Sequence, residues 1–208
     1  MTFAAAGRRT GTDTDTDTDG EASPMGDLIA NMSMSLDGFV EDATGSVNDV
    51  FAWIPTVAEG SASAEHQRLA RAGVGALITG RRLFDLAQGW GGRHPLDVPV
   101  FVVTHRVPND WSHPEAPFTF VTDGVASAVE QARAVAGDRD VAVASPDVTR
   151  QCLDLGLLNA IAVDLVPVLL GGGKPFFGGL TNAPISLEAP TVVEGTEITH
   201  LRYRVARS

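Results

Sequence analysis

The chain has 208 residues, which suits one domain or a small pair, and 44% of them are hydrophobic, enough to fill a sizeable core. Its formal net charge of −11 argues against a surface for nucleic acid or an anionic membrane. No apolar run approaches the roughly 20 residues of a membrane span. The N-terminus lacks a signal-peptide pattern, and the single cysteine, Cys152, favours a reducing cytoplasm.

Residues 1–24 include a Thr-Asp repeat, TDTDTDTD, that contains no apolar residue. Such a segment cannot bury enough surface to offset the entropy of ordering, so it predicts a disordered tail. Its aspartates faintly resemble a calcium loop, but the glutamate that an EF-hand requires six residues after its glycine is absent. We therefore predict a tail over residues 1–24 and one folded domain over residues 25–208.

Within the folded part, apolar runs typical of strands alternate with helical patterns. In chain order we predict strand 27–35, the turn-rich stretch 36–49, helix 62–72, strand 75–80, helix 81–87, strands 98–105 and 118–123, helix 124–137, strand 140–144, helix 146–156 and strand 159–170. Two further strands around Glu194-Gly195 finish the chain. This order predicts an α/β fold with a mostly parallel mixed sheet, helices on its faces and an antiparallel C-terminal hairpin.

The run DLVPVLLGGGKPFFGG, residues 164–179, raises the question of a phosphate-binding loop. A P-loop requires glycine where Val168 stands and Ser or Thr where Pro175 follows Lys174, so the motif fails twice. The three glycines instead predict a sharp turn with positive φ after a buried strand.

The histidines and the cysteine give no metal signature. None of the five histidines has the spacing of a local metal motif, so we predict no metal site. Cys152 has apolar neighbours in a predicted helix and is interpreted as a core residue.

Polar and basic residues follow two of the predicted strands. Strand 75–80 ends in Gly80, and Arg81 and Arg82 then occupy the first turn of a helix, a place that attracts phosphate. Residues 104–106, Thr-His-Arg, follow the next strand. Because ligands bind outside the carboxyl ends of parallel strands, both segments are candidates for a binding site. Taken singly, each also fits a solvated loop with surface arginines.

Six segments occur together and in order: SMSLDGF, TGRRLFD, PVFVVTH, FVTDGVASAVEQARAVAGDRDVAV, PVLLGGGKPFF and THLRYRV. Over residues 26–206 they resemble the dihydrofolate-reductase-like family, and more narrowly the reductase domain of the bifunctional riboflavin-biosynthesis deaminase–reductase. The resemblance implies a dihydrofolate-reductase-like three-layer fold. It also implies NADPH-dependent reduction of a C=N or C=O bond in a small heterocyclic substrate, pterin-like or ribosylaminopyrimidine-like.

The resemblance also implies roles for particular residues. The cofactor-binding residues would be Gly80, Arg81, Arg82, Thr104, His105, Arg106, Ser145 and Asp147. The loop over the nicotinamide and substrate would contain Ser35, Asp37 and Gly38, with Asp37 as the candidate catalytic proton relay. An Asp-Gly pair also simply makes a good turn, and that interpretation stays open. Members of this family often form homodimers, for which the edge of the C-terminal hairpin offers a surface.

The chain departs from the family pattern after strand 140–144. Where the family carries a glycine pair or triplet beside the cofactor pyrophosphate, this chain has Ala144, Ser145 and Pro146. Side chains then stand near the phosphates, and Pro146 has no N–H to donate. An Asp-Glu pair of the family is likewise replaced by Asn159 and Ala160. Two hypotheses therefore stay open: a working reductase, or a non-catalytic member that binds a ligand or a partner.

Overall fold

A computed structural model describes residues 25–206, so the predicted tail lies outside the described residues, and the tail–domain boundary stays a prediction. The strands are β1 Leu28–Ser35, β2 Phe39–Glu41, β3 Val74–Gly80, β4 Val100–Val103, β5 Phe118–Val121, β6 Asp140–Ala144, β7 Ala160–Val166, β8 Lys174–Pro175, β9 Thr191–Gly195 and β10 Ile198–Arg204. The α-helices are α1 Asn48–Phe51, α2 Ala62–Gly73, α3 Arg81–Leu86, α4 Val125–Ala136 and α5 Pro146–Asp154, with short 3-10 helices at Ile54–Thr56 and Gln88–Gly92.

Eight of these strands form one sheet in the order β5-β4-β3-β6-β1-β7-β10-β9. The first six run parallel, whereas β10 pairs antiparallel with both β7 and β9. This arrangement confirms the predicted α/β fold with an antiparallel C-terminal hairpin. Strands β2 and β8 form a separate two-stranded ribbon.

Both faces of the sheet are covered because the central strands are apolar on each side. On one face, Leu28 and Val143 pack in the main core together with α4 and α5. On the other face, Phe84 of α3 packs in an aromatic cluster over β4 and β5, and Trp53 packs at the end of α1. No helix among residues 25–206 is long and apolar enough to cross a membrane.

Several predictions about local structure are confirmed. Helix α5 begins at Pro146 and α4 ends before Gly137, whose φ is 66°. The glycine turn has the positive φ it was expected to need, at 71° for Gly171 and 131° for Gly173. Cys152 is fully buried, and burial raises the pKa of its thiol to about 12.

Two predictions about element boundaries were wrong, and a third was incomplete. The strand predicted over 159–170 ends at Val166, because Pro167 has no N–H to continue the ladder. The hairpin turns at Thr196-Glu197, where Glu197 has a φ of 59°, and not at Glu194-Gly195. Residues 36–49, predicted as turn-rich, also contain β2 and the first residues of α1.

Candidate functional site

The predicted site residues lie along one edge of the sheet. Strands β4, β3, β6 and β1 are neighbours and run parallel, so their carboxyl ends meet at the same edge. Following that edge, the structure places in turn residues 104–106, 80–82, 145–147 and 35–38. Such an edge is the usual ligand site of an open parallel sheet.

Gly80 and Ser145 meet at the centre of this edge. A Cβ atom on Gly80 would stand 2.7 Å from Ser145 Oγ, so the serine side chain uses space that only glycine leaves free. Ser145 is the N-cap residue of α5, but its side chain makes no capping hydrogen bond. Below it, Thr79 Oγ1 donates to the Ala144 carbonyl at 3.1 Å and ties β3 to β6. The ends of these two strands are therefore held close together.

Arg81 is fixed in place by two contacts. Its Nε donates to Asp85 Oδ1 at 2.7 Å, and its Nη1 donates to the Arg106 carbonyl at 3.1 Å. Thr104 shapes the same loop, because its Oγ1 donates to the Arg106 carbonyl at 2.8 Å and accepts from the Arg106 N–H at 3.3 Å. His105 and Arg106 are exposed. The two segments after β3 and β4 thus form one connected cationic rim.

Two ion pairs connect the β2–β8 ribbon to the helices that begin at this edge of the sheet. Arg82 pairs with Glu41 of β2 at 2.8 Å, and Lys174 of β8 pairs with Asp147 of α5 at 2.8 Å. Between them lies an open depression of about 350 Å³ whose lining includes Glu41, Arg82 and Lys174. Sequence reasoning missed Glu41 and Lys174; the only signal for Lys174 was its place after the glycine turn.

Asp37 is engaged in the turn after β1. Its carboxylate accepts hydrogen bonds from Ser35 Oγ at 2.7 Å, Leu170 N at 3.1 Å and Gly171 N at 2.7 Å. The Ser35 hydroxyl, with help from the backbone N–H groups of residues 170 and 171, lowers the pKa of Asp37. The carboxylate is therefore ionised at neutral pH and fastens the glycine turn to the end of β1.

The other two residues of the predicted substrate loop belong to the same turn. Ser35 is buried, and its Oγ also accepts from the Phe39 N–H at 2.9 Å. Gly38 has a φ of 92°, a conformation that favours glycine. The substrate-binding and catalytic roles of residues 35, 37 and 38 stay predictions.

Comparison with solved structures places this fold among known proteins. A putative riboflavin biosynthesis protein from Shewanella sp. PV-4 matches with a TM-score of 0.69 and 22% identity, covering 87% of this chain and 99% of that one. Dihydrofolate reductase from Enterococcus faecalis, solved with NADP(H), matches with a TM-score of 0.54 and 13% identity, covering 88% and 99%.

A third match is longer than this chain. It is the diaminohydroxyphosphoribosylaminopyrimidine deaminase/5-amino-6-(5-phosphoribosylamino)uracil reductase of Thermotoga maritima, with a TM-score of 0.58 and 11% identity. The match covers 88% of this chain but only 57% of that protein. At these identities the likeness concerns the fold alone. No curated protein sequence matched the chain.

The family comparison is more specific, because it rests on the sequence of almost the whole folded part. The profile of the RibD C-terminal domain matches residues 27–201. That range runs from the residue before β1 into β10 and includes every strand end at the site. The chain belongs to the RibD C-terminal domain family.

Proposed function

We propose that this chain is an NADPH-dependent reductase that transfers a hydride to a C=N or C=O bond of a small pterin-like or ribosylaminopyrimidine-like heterocycle. The observation that carries the proposal is the cationic rim of residues 81 and 104–106, which lies on the same sheet edge as the turn at residues 35–38. Membership of a family of reductase domains supports the reaction class.

The rim suits a phosphorylated dinucleotide. Arg81 is held by Asp85 and by the Arg106 carbonyl, so its guanidinium is ordered before a ligand arrives. The exposed His105 and Arg106 can meet the adenosine end, where a 2′-phosphate would favour NADPH over NADH. The Ser145 hydroxyl, which makes no capping bond, can donate to the pyrophosphate at the position where the resemblance implies glycine N–H groups.

The chain's own part in the reaction is binding, orientation and protonation. When bound, the reduced nicotinamide supplies the hydride, and the acceptor atom of the substrate then takes up a proton. Asp37 is ionised, so as a relay it would pass a proton only after receiving one from water. Through its bonds to residues 170 and 171 it also positions the glycine turn beside the site.

Hydride transfer is tested with the full chain, NADPH deuterated at the C4 position of the nicotinamide, and a panel of ribosylaminopyrimidines and dihydropterins. We expect deuterium in the reduced product by mass spectrometry. Arg106→Ala should raise KM for NADPH at least tenfold with little change in kcat, because the interaction contributes to ground-state and transition-state binding equally. Arg68→Ala, on the far helix α2 and paired with Glu65, is the matched control. NADPH binding without transfer to any acceptor would contradict the proposal.

One observation favours the alternative of a ligand-binding member without turnover. Ser145 fills the space beside Gly80, and Pro146 offers no N–H, so two features of a phosphate site are altered together. In that case a nucleotide or heterocycle would bind and dissociate unchanged. The homodimer implied by the resemblance also stays a prediction; strand β9, the end of the sheet order, would provide its edge.

A further inference from the structure

A second group of polar residues lies away from the proposed cofactor rim, on the part of the sheet covered by α1 and α2. His200 of β10 sits opposite Asp164 of β7 in the strand register. Its Nδ1 is 2.6 Å from Asp164 Oδ1, and its Nε2 is 3.0 Å from Ser63 Oγ of α2. The His200 side chain is only 1% exposed, so this group is part of the interior.

His66 completes the group from the next turn of α2. Its ring stacks on that of His200 with the centroids 4.4 Å apart. One ligand atom each from His66, Asp164 and His200 lie within 4.8 Å of one another.

We propose that His66, Asp164 and His200 form a binding site for a divalent transition-metal ion of the Zn²⁺ type. Two imidazoles and one carboxylate are a donor set that such ions prefer, and a water molecule would complete a tetrahedral site. Ser63 then accepts from Nε2–H of His200 and leaves Nδ1 for the metal, as the outer-shell partner of a ligating histidine does. His66 is partly exposed and provides the way in from solvent.

Ser63, His200 and Asp164 are also connected in the order of a Ser-His-Asp catalytic triad. The serine, however, is unsuited to attack a substrate. Ser63 is 3% exposed, and a Cβ atom on Gly195 would collide with its Oγ, so the β9–β10 hairpin covers the hydroxyl. A nucleophile needs room for the reacting carbon beside it. A small ion needs only the ligand atoms.

Metal binding requires a small rearrangement. With bonds of about 2.0–2.1 Å, the donor atoms of a tetrahedral site stand roughly 3.3 Å apart. The contact between Asp164 and His200 must therefore lengthen slightly, and the His66 ring must turn out of its stack to aim a nitrogen at the ion. His66 is partly exposed on α2, so its ring has more room to rotate than the buried ring of His200.

The ion would join α2 to β7 and β10, which are distant from it in sequence. A metal that binds the folded chain and not the unfolded chain raises the melting temperature. This inference does not depend on the proposed reductase activity.

The test uses the full, untagged chain after treatment with EDTA, titrated with Co²⁺ and then with Zn²⁺. We expect one Co²⁺ per chain with the intense visible absorption of a tetrahedral site, removed by stoichiometric Zn²⁺, and a higher melting temperature with Zn²⁺. The tetrahedral spectrum distinguishes this site from hard-cation binding to the aspartates of the N-terminal repeat.

His66→Ala should weaken Zn²⁺ binding by at least about tenfold, since even the loss of an outer-shell partner has an effect of that size. It is preferred to a His200 variant because His66 is partly exposed and its loss should not prevent folding, which circular dichroism of the metal-free protein checks. His113→Ala, at a histidine outside the group, should bind like the wild type. Absence of a tetrahedral Co²⁺ spectrum, or Zn²⁺ binding that His66→Ala leaves unchanged, would overturn the proposal.

Discussion

Asp37, the candidate proton relay, also has a structural role. Its three acceptor contacts connect the end of β1 to the glycine turn at residues 170–171. In Asp37→Asn, the amide NH₂ would face a backbone N–H, so at least one of these hydrogen bonds is lost. We predict a lower melting temperature at pH 7 for Asp37→Asn, measured by calorimetry.

The pH dependence of this effect follows from the lowered pKa of Asp37 in the folded state. Its contribution to stability is fully present above the ordinary aspartate value of about 3.9 and is lost as the pH falls through the folded-state pKa. The difference in melting temperature between wild type and variant should therefore shrink in acid. Asp110→Asn, at an exposed residue of another loop, is the control. If the difference in melting temperature between wild type and Asp37→Asn were the same in acid as at pH 7, the charge of Asp37 would have no role in stability.

At the level of elements, the junctions β3–α3 and β6–α5 depend on each other through Gly80 and Ser145. The space for a Cβ at position 80 is taken by Ser145 Oγ at 2.7 Å and restricted by Val148 Cγ2 at 3.6 Å. We predict that Gly80→Ala lowers the free energy of unfolding by about 1–3 kcal/mol through overpacking. Chemical denaturation measures this change.

The double variant Gly80→Ala/Ser145→Gly tests whether the clash between a Cβ atom at position 80 and Ser145 Oγ causes the loss of stability. Removing the serine side chain makes room for the new methyl group, so part of the loss should be recovered beyond the sum of the single effects. Strictly additive effects would show that the two residues do not compete for space. The same series also tests the cofactor site, because Ser145→Gly introduces glycine at a position where the resemblance to the family implies one.

The type and order of the main elements could be predicted because their patterns are local. Pro146 fixes the start of α5, and Gly137 the end of α4. The predictions of strand ends were wrong where the end depends on which strand pairs with it. Val168 and Leu169 look like strand residues, but the ladder stops at Val166 before Pro167. Strand β2 exists because β8, more than 130 residues later, pairs with it.

At the level of the whole molecule, the sequence could predict that the candidate residues share one edge of the sheet, but not the contacts that these residues make. Their roles stay predictions. The parallel sheet alone brings residues 80–82 and 104–106 to one edge. The Arg82–Glu41 and Lys174–Asp147 pairs, and the group around His200, join residues far apart in sequence. The prediction that no metal site exists relied on local spacing, and such spacing carries no signal for a group assembled by the fold.

Several basic residues of this acidic molecule lie close together at one edge of the sheet. The chain has a net charge of −11, and the basic residues Arg81, Arg106 and Lys174 at one edge of the sheet are accompanied by acidic ones, since Arg81 pairs with Asp85 and Lys174 with Asp147. A local cationic site in an acidic protein can bind an anion without attracting nucleic acid along its whole surface. A small phosphorylated ligand at this edge stays a prediction.

The proposed cofactor site is tested most directly by an equilibrium titration of the full chain with NADPH and, separately, with NADH at the same ionic strength. Calorimetry measures both dissociation constants. We predict micromolar binding of NADPH with at least tenfold weaker binding of NADH, and loss of that preference in Arg106→Ala, since the guanidinium would meet the 2′-phosphate. No binding of either nucleotide at millimolar concentration would contradict a cofactor site at this edge.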